Sequence, residues 1–135
     1  MQRGFILTVF LIVITFCSAQ TDKDKERFDY VSKQLALSKE TKAKLRPLFY
    51  AYRKDLKNAK NIYDDLKGKN ITAIKKKKIT TSQANALNNA RWTSDQKVTE
   101  VKKQYCQKFG TILTPQQVYY LFSYANDSKS KRLGK

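Results

Sequence analysis

The sequence contains no histidine and only two cysteines, and each shortage removes a class of chemistry. Without an imidazole there is no Ser-His-Asp triad, no histidine acid/base catalysis and no histidine-containing metal site. Cys17 lies in an apolar leader, which leaves Cys106 alone in the body; an intramolecular disulfide there and a cysteine zinc cage are both excluded. Glycine occurs four times and proline twice, a scarcity that suits helix along most of the chain. Acid is scarce as well, with 11 Asp and Glu against 28 Lys and Arg, a net charge of +17. No glycine-rich phosphate loop is present. The nearest carboxylate pair, Asp64 and Asp65, are helix neighbours pointing about 100° apart, and so unable to share a metal or a proton. No nucleophile has a base in its pattern, so the reading is of a protein that is not an enzyme and has no cofactor. At 135 residues the chain has room for one domain of ordinary size.

What is present begins with an export signal. Met1-Gln2-Arg3-Gly4 carries one positive charge, Phe5 to Phe16 is an uncharged, predominantly apolar run, and Cys17-Ser18-Ala19 precedes the polar Gln20-Thr21-Asp22. This layout predicts a secretory signal peptide over residues 1–19, cleaved after Ala19, and an exported protein, with the bacterial periplasm as the expected location. As a helix the apolar run would span about 18 Å against a hydrocarbon core of about 30 Å, too short for a permanent anchor. Lipidation at Cys17 is the minor reading, because bulky Phe16 stands where a lipoprotein peptidase selects small residues. Cleavage removes Arg3 alone among the charged side chains, leaving +16 and no methionine. Cys106 is then a lone thiol in an oxidising compartment, open to an intermolecular disulfide or to a role as a small, partly buried apolar residue.

The mature chain reads as four helices. Phe28, Val31 and Leu35 repeat at helical spacing after the acidic start Asp22, Asp24, Glu26. A second helix is capped by Ser38 and carries a stripe through Leu45, Leu48, Phe49, Tyr52, Leu56, Ala59, Tyr63 and Leu66, with Gly68 as its C-cap. Pro47 lies inside that stripe and predicts a bend near Ala43–Pro47 rather than a break, since the stripe continues past it. From Gly68 to Thr81 the periodicity lapses, and Lys75-Lys76-Lys77-Lys78 mark a basic connector between antiparallel helices. A third helix opens with the capping-box spacing of Thr80 and Gln83 and presents Leu87, Ala90, Ser94, Val98, Val101, Tyr105 and Phe109, ending at Gly110. Leu113-Thr114-Pro115-Gln116-Gln117 is the clearest local signal: Thr114 caps, Pro115 takes the first helical position and Gln117 reaches back. The fourth helix buries Val118, Leu121, Phe122 and Ala125. Residues 20–126 thus form one helical domain and 127–135 a basic polar tail. Two long helices of about 28 residues would be about 42 Å long, so the expectation is an all-α, elongated four-helix hairpin with two long central helices. Its thin interior favours a homodimer.

Leu37-Ser38-Lys39-Glu40-Thr41, Ile79-Thr80-Thr81-Ser82-Gln83 and Leu113-Thr114-Pro115-Gln116-Gln117 echo one another, and the last is a full LTxxQ match. With the export signal, the basic all-helical body and the long hairpin, these motifs resemble the Spy/CpxP family of exported helical stress proteins, over about Phe28 to Leu133. The first motif departs from the pattern, with Ser38 for Thr and Thr41 for Gln. The resemblance implies a thin, cradle-shaped dimer acting as an ATP-independent chaperone or envelope-stress modulator for unfolded or envelope proteins. Metal sensing does not carry over, since the mature chain has neither the histidine-rich nor the methionine-containing segments of the metal-sensing relatives.

The residues can be asked independently where partners would bind. Measured from Leu45 at 100° per residue, Arg46, Tyr50, Arg53 and Lys57 form a second stripe about 80 to 140° from the buried one. On the third helix Trp92 and Lys103 fall about 140 to 160° from Leu87, and on the fourth Tyr120 and Tyr124 oppose Val118. These eight residues are the candidate client-binding surface: rings supply apolar area at low entropic cost and cations attract acidic segments from a distance. Lys75, Lys76, Lys77 and Lys78 are the candidates for an anionic surface. The leading function is chaperone-like binding of unfolded or envelope proteins. The runner-up is binding of anionic envelope surfaces or polyanions through the connector, with nucleic acid disfavoured, and a third reading is a regulatory domain docking on one sensor protein.

Overall fold

Hydroxyl side chains open three of the helices, and each reads out a local hydrogen-bond pattern. In the computed structural model, which describes residues 22–126, five helices follow in order: α1 (Asp22–Gln34), α2 (Lys39–Lys69), α3 (Ile71–Lys75), α4 (Thr81–Phe109) and α5 (Pro115–Asn126). The expected signal peptide and the basic tail lie outside the described residues. Thr80 accepts from the Gln83 amide at 3.1 Å while the Gln83 side chain accepts from the Thr80 amide at 2.9 Å. Thr114 and Gln117 repeat this box at 3.2 and 3.0 Å. At the first motif Ser38 Oγ accepts from the Thr41 amide at 3.2 Å and donates to Thr41 Oγ1 at 2.9 Å, so the box is closed on one side only. Threonine is too short to return the bond that glutamine makes.

Two expectations change. Gly68 does not cap α2: it lies inside the helix, which runs on to Lys69, and Asn70 ends it with its side-chain amide donating to the Leu66 carbonyl at 2.9 Å. Asparagine satisfies an orphan carbonyl that glycine can reach only by a left-handed turn, and no described glycine has positive φ. The basic connector is also partly ordered. It contains the one-turn helix α3, which ends with Lys77 at φ 54° and with the Lys77 and Lys78 amides bonded to the Ile74 and Ala73 carbonyls. α1 ends in the same way, Ala36 taking φ 49° and the Ala36 and Leu37 amides closing on Lys33 and Ser32. Pro47 sits within α2, which continues through it.

α2 and α4 pack together antiparallel: the Tyr52 ring meets Phe109 and Tyr105, Ser94 reaches Ala59, and Arg91 reaches Tyr63, so numbers rise on one helix as they fall on the other. The molecule is therefore all-α with two long packed helices. The core gathers Phe28 and Val31 of α1, Leu45, Phe49, Tyr52 and Leu56 of α2, Tyr105 and Phe109 of α4, and Leu113, Val118, Leu121 and Ala125 of α5 and its approach. Most of these are the positions that helical periodicity assigns to the inside. The core is one-ended. Beyond Ala59 and Ser94, the far half of the pair buries Leu87, while Tyr63, Leu66 and Ala90 stay half-exposed.

Candidate functional site

α1 decides what becomes of the stripe on α2. Asp24 accepts from Arg53 Nε at 3.3 Å, in a contact where both side chains are about four-fifths buried. The Arg46 guanidinium stands 5.5 Å over the Phe28 ring, and Tyr50 packs edge-on against the same ring at 5.8 Å. Burial raises the Tyr50 phenol above its ordinary value, with Arg46 opposing the shift. Lys57 is exposed. Of the four stripe residues, Arg53 and Tyr50 are therefore committed largely to the chain's own packing, whereas Arg46 and Lys57 face solvent. Helical periodicity placed them on one side of α2 but carried no information about α1, which lies against that side.

α1 is held in place from its other flank. Arg27 donates to the Ala125 carbonyl at 2.9 Å, a cation on the last turn of α5 where the helix dipole is negative. Burial lowers the affinity of this guanidinium for its proton, and neighbouring Arg53 lowers it further, against the pull of Asp24. The contact brings Tyr30 of α1 against Tyr124 of α5, edge to face at 6.2 Å. Tyr124 stacks on Tyr120 at 6.0 Å and 19°, and Tyr120 meets Tyr119 edge-on at 5.4 Å. A ladder of four tyrosines thus crosses from α1 onto α5, and its end is open: Tyr120 is 49% and Tyr119 69% exposed. Tyr119 also forms one wall of an open apolar groove of about 460 Å³, lined with it by Cys106, Pro115, Val118, Phe122 and Ser123. Cys106 is an exposed free thiol on that groove, which replaces the reading of a partly buried residue. Tyr120 is exposed, whereas Tyr124, expected on the same outer face, is half-buried against the core. Tyr119 and Tyr30 were missed: the first lies about 100° from Val118 and could have been read from the helical wheel, while the second depends on how α1 docks.

Trp92 stands apart from the ladder and is 62% exposed, and Lys103 is exposed further along α4. Beside Trp92 in sequence, Arg91 donates to the Tyr63 hydroxyl at 2.8 Å with its guanidinium 5.0 Å from that ring, a bond that raises the Arg91 pKa. Positive charge is crowded along the pair. Burial, and then the nearby cations Arg53, Lys102 and Arg27, push the Lys60 ammonium down, with Asp64 opposing. Lys75, Lys76, Lys77 and Lys78 are all exposed at the far end.

The closest acid–phenol contact is structural. Tyr105 donates to Asp55 Oδ2 at 2.6 Å between the long helices, and burial together with that bond raises the phenol well beyond its usual range. No helix among the described residues is long and apolar enough to cross a membrane, and no group of metal-ligating side chains occurs among them. Comparison with models of protein families, with curated proteins and with solved structures gives no match.

Proposed function

We propose that the chain is an exported, ATP-independent chaperone or envelope-stress modulator of the Spy/CpxP type, working as a homodimer and capturing unfolded or envelope proteins on a basic and aromatic surface. The observation that carries this reading is the open tyrosine ladder, whose exposed end at Tyr119 and Tyr120 runs into the apolar groove beside Cys106. Stacked rings offer apolar area at little cost in side-chain entropy, and a flat, open surface does not select one shape. A strongly positive chain attracts acidic segments before contact, so charge serves encounter and the rings serve retention. Release needs no nucleotide in this scheme: a client that folds withdraws its own apolar surface. Trp92 and the half-exposed apolar residues of the far arm extend the same surface or close against a second copy.

The test adds the naturally processed protein to a chemically unfolded client without ATP and follows light scattering at low and high salt. Suppression that persists in salt, and that weakens in Trp92→Ala and in a Tyr119→Ser/Tyr120→Ser variant, is the expected result. Aggregation unaffected at any ratio would overturn the reading. Sedimentation equilibrium tests the dimer separately, and a mass of one copy at high concentration would remove it from the proposal.

A further inference from the structure

From Leu66 to Ser94 the chain holds no aspartate or glutamate and seven cations: Lys67, Lys69, the four of Lys75–Lys78, and Arg91. In the fold this acid-free stretch is the far end of the long pair, with α3 and its turn at the tip, remote from the buried core. Arg91 is engaged by Tyr63. The six lysines form no ion pair among the described residues; Lys67 stands 6.0 Å over the Tyr63 ring, and Lys75–Lys78 are all exposed. Ile71 and Ile79 lie in the chain on either side of the tetralysine and, at 37% and 40% exposed, each presents part of an aliphatic side chain to solvent beside the lysines. The backbone between them is fixed. Lys77 occupies the left-handed position after α3 that glycine fits best, and the Lys77 and Lys78 amides close the turn on Ile74 and Ala73.

We infer that this tip docks on an anionic phospholipid surface, its lysines over the headgroup phosphates and Ile71 and Ile79 in the interfacial layer. Charge complementarity selects an anionic partner, and the accompanying side chains select lipid. Nucleic acid is gripped by arginine forks and by aromatic rings that stack on bases. The tip has lysines, which act as hydrated point charges, and aliphatic isoleucines, which suit the boundary between headgroup and acyl chain. Trp92, the nearest exposed ring on α4, stands about 18 Å back from Thr80 along that helix. Lysines near an anionic leaflet each add attraction that falls off within a Debye length, so a short tip suffices if it meets the surface directly. The inference does not rest on the tyrosine ladder that carries the client-capture reading, which lies at the α5 end of the molecule, away from this tip.

Vesicle co-sedimentation of the naturally processed protein tests it, using phosphatidylcholine vesicles with and without phosphatidylglycerol, and heparin binding in parallel. The expected result is binding that requires phosphatidylglycerol and falls about a hundredfold or more when Lys75–Lys78 are all changed to Gln. An Ile71→Ser/Ile79→Ser variant should lose about tenfold on vesicles and keep its heparin binding. The four lysines are exposed and the two isoleucines partly so, and unchanged helical circular dichroism with an unchanged thermal midpoint certifies each variant. A charge-matched control, Lys23, Lys25, Lys33 and Lys39 to Gln, removes four exposed lysines from the α1 end and should retain vesicle binding. Three outcomes would overturn the inference: no binding to phosphatidylglycerol vesicles, equal loss in the two lysine variants, or vesicle binding indifferent to the isoleucines.

Discussion

Tyr52 and Tyr105 face each other across the two long helices with ring centroids 5.4 Å apart, yet their hydroxyls fare differently. Tyr105 donates to Asp55 at 2.6 Å, whereas the fully buried Tyr52 hydroxyl has no hydrogen-bond partner among the described residues. A buried polar group without a partner costs about 1–3 kcal/mol of desolvation, while a bond to a charged acceptor returns more than a neutral one. Tyr52→Phe is therefore expected to leave stability unchanged or raise it by about 1 kcal/mol, and Tyr105→Phe to lower it by about 1–2 kcal/mol. Chemical denaturation of the two variants beside the parent decides the point. Equal losses would contradict the assignment.

The same pair predicts a pH dependence. Burial is the largest cause raising the phenols of Tyr50, Tyr52 and Tyr105, and for Tyr105 the bond to Asp55 adds to it. A phenol whose pKa is higher folded than unfolded contributes its stability in full below the unfolded value of about 10, and loses it as pH climbs through the folded value. The stability gap between the parent and Tyr105→Phe should be constant from about pH 7 to 9 and shrink above about pH 10. Denaturant midpoints measured across that range check it, and a gap that widened with alkali would reverse the sign.

Ser94 and Ala59 set the spacing of the pair. Ser94 Oγ donates to the Ala59 carbonyl at 2.8 Å, and both residues are buried. Small side chains let the backbones approach, and the hydroxyl bonds a carbonyl on the neighbouring helix. Ser94→Ala should cost about 1 kcal/mol, and Ala59→Leu, which forces the helices apart, about 1–3 kcal/mol. Thermal melts of both variants would show whether the larger side chain is the more damaging, as overpacking requires.

The helix ends give the cleanest stability tests, because they are exposed and local. Thr114→Ala and Thr80→Ala each remove one side of a closed capping box and should each cost about 1 kcal/mol. Ser38→Ala breaks a half-closed box and should cost less. Ala36→Gly should stabilise by several tenths of a kcal/mol, since a residue with a Cβ now occupies φ 49° at the end of α1. The order of the four unfolding midpoints is the measurement.

The helices, their caps and most of the core are legible in the sequence because they depend on short-range order along the chain. A cap is a bond between residues three apart, and a buried face is a period of 3.6, so Thr80, Thr114, Leu45, Phe49, Tyr105 and Leu121 announce themselves. Gly68 misled for a related reason: glycine is the common C-cap, but Asn70 two residues on supplies its own hydrogen bond and lets the helix continue. The candidate surface was readable only in part. Trp92, Lys103 and Tyr120 lie outside by helical angle alone, and they are exposed. Arg53 and Tyr50 lie outside the same stripe of α2 and are nonetheless covered.

Composition and local hydrogen bonding suffice to set the charge, the exclusion of histidine chemistry and of an intramolecular disulfide in the body, the all-α class and the side of each helix that turns inward. Contacts between residues far apart in the chain required the assembled fold. It laid α1 over Arg53 through Asp24, tied Arg27 to Ala125, and so joined Tyr30 to the tyrosines of α5. It also gathered the core at one end and left an acid-free lysine tip at the other. The physical reason is that periodicity fixes the angle of a side chain about its own helix, whereas which helix arrives to meet it is settled by packing the whole set of apolar faces at once.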